Sequence, residues 1–74
     1  MAMRPTPRPF QVEFEGQFYA ATFIASEGAV TITWFPLGAS KPKVRSTHTV
    51  GDGQEEAQRL LRELLLQAKV NGEL

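Results

Sequence analysis

The chain has no cysteine, a single histidine and no excess of either charge. Without thiols there are no disulfides and no thiolate metal site. With one imidazole, a structural zinc site has almost no ligands to draw on, so neither metal nor cofactor is expected. Eight basic residues balance eight acidic ones, which leaves a weak long-range field and argues against charge-driven capture of nucleic acid. No segment approaches the apolar length of a membrane span. Met1–Pro9 carries two arginines and three prolines, with no apolar run of signal-peptide length behind them. A cytoplasmic protein without a membrane partner is the expectation.

What is present must fit into 74 residues. A chain of this size buries only about 60% of its unfolded surface, so small domains often lean on a staple or a partner. Prolines at positions 5, 7 and 9 favour an extended arm, so residues 1–9 read as a flexible proline-rich lead and 10–72 as one domain.

Alternation of apolar and polar residues from Phe10 to Glu15 marks a half-buried strand. Gln17–Ala25 is a second strand and Ala29–Phe35 a third, rich in aromatic and β-branched residues. Glu15-Gly16 and Ser26-Glu27-Gly28 link them. Three-residue loops with glycine in the left-handed position spare the glutamates a positive φ. That register gathers Phe10, Val12, Phe18, Ala20, Thr22, Ile24, Val30, Ile32 and Trp34 on one face. Tyr19, Phe23 and Phe35 fall on the other, and a one-residue slip would exchange many of these positions. Two prolines and a glycine make 35–42 a loop. Lys43–Val50 then reads as a fourth, edge strand with Val44, Ser46, His48 and Val50 inward. Charge on its outward side is first of all a guard against aggregation.

Gln54 to about Val70 has helical periodicity, with Ala57, Leu60, Leu61, Leu64 and Ala68 on one stripe and Leu65 on its flank. Asp52, three residues before Glu55, resembles a capping box, Glu55, Arg59 and Glu63 form an i,i+4 ladder, and Asn71-Gly72 supplies a stop. Leu66 and Val70 fall outside the stripe. The expected fold is α+β: a three- or four-stranded antiparallel meander packed on one C-terminal helix.

Chemistry is sparse. Ser46 and His48 point the same way on a strand, but they are too widely spaced for a tight hydrogen bond and have no third member or oxyanion hole. Gly51-Asp52-Gly53 precedes a helix, but Asp52 sets negative charge where an anion would bind. No enzymatic activity and no small-molecule ligand is expected. Lys41, Lys43 and Arg45, with His48 nearby, form the one basic cluster, and exposed aromatics could stack on unpaired bases. A small sheet backed by one helix resembles the plan of sheet-reading DNA-binding domains such as integrase arm-type modules. Gly38-Ala39-Ser40-Lys41 resembles the glycine–serine–lysine loop of double-stranded-RNA-binding domains, departing from it where Pro42 follows at once. Against nucleic acid stands the near absence of arginine and lysine on the first three strands. The leading expectation is protein association, with itself or another protein, through Tyr19, Phe23, Phe35, Leu66 and Val70.

Overall fold

The structure is a computed structural model that describes residues 6–36, 38 and 40–73. Four strands, β1 (Arg8–Phe14), β2 (Gln17–Ser26), β3 (Ala29–Trp34) and β4 (Lys43–His48), precede one helix, α1 (Gln54–Val70). They form a single antiparallel sheet in the order β1-β2-β3-β4, with α1 across one face. The expected α+β meander is therefore present, with the fourth strand included. β1 takes in Arg8 and Pro9, which the proline spacing places in the arm. Most of that arm, residues 1–5, lies outside the described residues.

The register differs from the expected one. Phe14 pairs with Gln17 and Ser26 with Ala29, so each hairpin has only two loop residues. Both residues of each turn are left-handed: Glu15 at φ 51° and Gly16 at 81°, Glu27 at 55° and Gly28 at 75°. Such primed turns match the right-handed twist of the strands. A glutamate at positive φ costs about 1–2 kcal/mol. This register offsets that cost with three edge-to-face aromatic pairs, each worth about 0.5–1.5 kcal/mol. Phe10 meets Phe23 at 5.5 Å, and Tyr19 stands between Phe14 and Trp34 at 6.4 Å from each.

The consequence is the slip of β2 by one position. Tyr19, Ala21, Phe23 and Ala25 face the helix, while Phe18, Ala20, Thr22 and Ile24 face away. β4 is inverted too. Trp34 pairs with Lys43 and Ile32 with Arg45, so Lys43, Arg45 and Thr47 lie on the helix side and Val44, Ser46 and His48 on the open side. Val50, expected inward, is fully exposed. Thr49 is the buried residue there; its N–H donates to the Gly28 carbonyl at 2.9 Å, and its hydroxyl accepts from the Gly51 N–H at 3.3 Å. Lysine and arginine can occupy the helix side of β4 because α1 packs mainly over β1 and β3.

The core is a single layer between sheet and helix. Phe10, Val12, Phe23, Val30, Ile32 and Trp34 meet Ala57, Leu60, Leu61, Leu64, Leu65 and Ala68. The expected helical stripe is all there, and Leu65 on its flank is as deeply buried as Leu61. The entry to α1 departs from a capping box. Gly53 is the N-cap, left-handed at φ 86°, and Asp52 instead accepts from the Gln54 N–H at 3.0 Å. Gly53 is there because a side chain would not fit: a Cβ would sit 3.1 Å from both Ala25 Cβ and Val30 Cγ2. The exit is a Schellman motif. Glu73 N–H donates to the Ala68 carbonyl at 2.7 Å and Gly72 N–H to Lys69 at 3.1 Å, as Asn71-Gly72 implied. Among the described residues the ion pairs are Lys43–Glu73 and Lys69–Glu15. Both tie the end of α1 to the sheet, and the Glu55–Arg59–Glu63 ladder does not close.

Candidate interaction surface

Strand alternation leaves the far face of the sheet with no second layer. At its centre Ile24 and Thr22 of β2 lie beside Thr31 and Thr33 of β3, all half-buried by their neighbours. Toward the margins Phe18 is 68% exposed and Val44 55% exposed. Phe35, just past β3, is equally open. Thr31 and Ser46, directly opposed on β3 and β4, share a hydrogen bond between hydroxyls at 2.8 Å. The hydrogen bonds of the described residues include none between Ser46 and His48, which lie two apart on one strand. Gln11 and Glu13 of β1 give this face a polar rim on one side, with His48 on the other.

At one end of the sheet, Phe18, Tyr19, Trp34, Phe35, Pro36 and Glu73 line a cavity of about 500 Å³. Its walls are mostly apolar, and Glu73 is already paired with Lys43 at 3.0 Å. Gln17 also lines it, and its side-chain oxygen accepts from the Tyr19 hydroxyl at 3.4 Å. Among the described residues, no cluster of three or more histidine and acidic side chains could hold a metal. None of their buried side-chain nitrogen or oxygen atoms lacks a partner.

The five residues expected at an interface separate into three groups. Phe23 is buried under α1, and Tyr19 is half-buried in the aromatic row on the same side. Both belong to the core, because β2 has the opposite phase from the one expected. Phe35 is exposed at the margin of the open face. Leu66 and Val70 are exposed, as expected, with Glu63 and Gln67 on the outer side of α1. They lie on the side of the molecule opposite the open sheet face. Phe18 and Val44 escape the sequence reading as candidates. For Phe18 the signal is the spacing: two residues between strands is the commonest hairpin length, and it reverses the face of every β2 side chain.

The basic cluster divides: Lys43 and Arg45 share the helix side of β4. Lys41 is exposed in the loop before β4, and Lys43 is paired with Glu73. Arg45 lies on the helix side of the sheet and His48 on the open side. The loop that resembles double-stranded-RNA-binding domains includes Ala39, which lies outside the described residues. No helix among the described residues is long and apolar enough to cross a membrane. No family model, no curated protein and no solved structure matches this chain.

Proposed function

We propose that this chain is a non-enzymatic protein-association module that joins with a second copy of itself. The observation that carries the reading is the uncovered face of the sheet, where Ile24 lies half-buried at the centre and Phe18 and Val44 stand exposed at the margins. A sheet is stable when both faces are accounted for, by a second layer or by a polar surface. Here α1 covers one face only, and the other is mixed, with hydroxyls at its centre and large apolar groups at its margins. Zero net charge sets no long-range repulsion between copies. A two-fold axis lets one patch satisfy its own duplicate, which makes self-association the simplest use of such a face.

The test is the mass of the protein over a range of concentrations by sedimentation equilibrium. Wild-type protein should exceed the monomer mass, and Phe18→Glu should weaken the association at least tenfold with its circular dichroism unchanged. Leu66→Glu, on the opposite side of the molecule, should leave the mass as in wild type. A monomer at every concentration would refute self-association. Loss of association in Leu66→Glu alone would move the contact to the helix.

A further inference from the structure

The two edges of the sheet are not equivalent, and hydrogen-bond phase shows how. In an antiparallel pair, residues alternate between positions bonded to the neighbouring strand and positions whose N–H and C=O point away from it. The Thr49 N–H to Gly28 carbonyl bond sets that phase for β4. Counting from it along the register, Lys43, Arg45 and Thr47 are bonded to β3. Val44, Ser46 and His48 turn their backbone groups outward. On β1 the two-residue hairpin closes on the bonded pair Phe14 and Gln17, so Pro9, Gln11 and Glu13 are the outward positions. Pro9 has no N–H to offer, and Pro7 before it continues the same spacing. The edge of β1 is thus blunted by proline, as edges commonly are. The edge of β4 presents three donors and three acceptors with no proline among them.

We infer that two copies of this chain pair antiparallel through β4, with Ser46 against the partner's Ser46 at the two-fold axis. This rests on the self-association proposed above and adds to its face contact a second contact along the β4 edge. In that register Ser46 exchanges two backbone bonds with the partner's Ser46. Val44 and His48 exchange two with the partner's His48 and Val44 on each side, six in all. Arg45 falls opposite the partner's Thr47 and Lys43 opposite the partner's Thr49, so no like charges meet. A shift that centred the pair on Arg45 would oppose two guanidinium groups and set Pro42, without a donor, against the partner's His48. The charges on β4 therefore exclude that shift and do not close the edge.

Area points the same way. Four strands about 4.8 Å apart and about six residues long give an open face of roughly 400 Å². A standard interface takes about 800 Å² from each partner. One copy falls short of this. Two copies joined at β4 form an eight-stranded sheet whose continuous open face reaches it, so edge-joined pairs are the units whose faces then meet, with Phe18, Ile24 and Val44 repeated across the axis.

The experiment combines two single substitutions with the wild-type mass. Ser46→Pro removes an outward donor without touching a backbone bond to β3, giving up only the hydroxyl bond to Thr31, and should weaken association at least tenfold with the fold retained. Ser46→Cys introduces the chain's one thiol. Opposed α-carbons in a bonded pair lie about 5.5 Å apart, within disulfide reach. Mild oxidation should cross-link Ser46→Cys to a covalent dimer, and Gln11→Cys, on the other edge, should cross-link much more slowly. If Ser46→Pro fails to fold, the cysteine pair decides. Wild-type association with no preference of Ser46→Cys over Gln11→Cys would overturn the β4 pairing and leave self-association standing. A monomeric wild type together with a Ser46→Cys variant that resists cross-linking would overturn both.

Discussion

Adding a single methyl group at Gly53 should cost this fold a large part of its stability. Gly53 is buried, left-handed at φ 86°, and wedged where the chain leaves the sheet for α1. An alanine there meets two separate costs. The left-handed conformation costs an L-residue about 1–2 kcal/mol. Its Cβ would lie 3.1 Å from Ala25 Cβ and Val30 Cγ2 and 3.2 Å from Val30 Cβ. None of these atoms ends a flexible side chain. Overpacking of that kind costs about 1–3 kcal/mol more, so Gly53→Ala should lose roughly 2–5 kcal/mol. A domain of this size holds only about 4–11 kcal/mol in all. Urea unfolding followed by the fluorescence of Trp34, the sole tryptophan and 4% exposed, reads the loss directly. Two glycines separate the costs. Gly16 is left-handed at φ 81° and a methyl group there would have nothing within 4 Å, so Gly16→Ala should lose only the backbone part. Gly51 has open space and no positive φ, so Gly51→Ala should be neutral or stabilising by up to about 1 kcal/mol through the unfolded chain. Equal losses at Gly53 and Gly16 would refute the packing argument.

Leu61→Ala, in the middle of the buried stripe with no exposed surface, should lose about 2–5 kcal/mol in the same assay; a loss under about 1 kcal/mol would show that α1 is not seated on the sheet as described. Asp52→Ala removes the acceptor for the Gln54 N–H and should cost about 0.5–1 kcal/mol. An unchanged midpoint would mean that water serves the helix end equally well. Short duplex DNA, single-stranded DNA and RNA, titrated at low salt into isotopically labelled protein, should produce no saturable amide shifts near Lys41, Lys43, Arg45 and His48. Saturable shifts there would restore the nucleic-acid reading, and Lys41→Glu with Lys43→Glu would then have to abolish them.

The elements are legible in the sequence because each has a strong period. Phe10–Glu15 alternates, Val30, Ile32 and Trp34 alternate with threonines, and α1 carries a full apolar stripe between a glycine-flanked start and Asn71-Gly72. Phase is not legible in β2, for a physical reason. Its sequence places Phe18 and Ile24 on one face and Tyr19 and Phe23 on the other, so burial favours neither register strongly. The turn then decides, and the turn takes glutamate into a conformation it visits reluctantly because strand twist favours the primed geometry. Two of five interface candidates change face for that reason alone. In β4 it is charge that misleads. Lys43 and Arg45 suggest the solvent side, yet at the edge of the sheet the inner side is also wet. The exposure of Leu66 and Val70 is legible, since helical spacing fixes direction without knowledge of a partner.

The order β1-β2-β3-β4-α1 also has a temporal meaning. Every strand pairs with its sequence neighbour, so the sheet consists of contacts closed over short loops, the kind that form within about 1–10 μs for a hairpin. The covering layer comes last. At about 5–20 residues per second of synthesis, the 17 residues of α1 follow the final strand by roughly a second or more, about a hundred thousand times longer than a hairpin needs. During that interval both sides of a nascent sheet are bare, and Phe10, Phe23 and Trp34 are as available to a neighbouring chain as Phe18 is in the finished fold. Crowded polysomes would therefore expose a hazard that dilute refolding of the whole chain conceals.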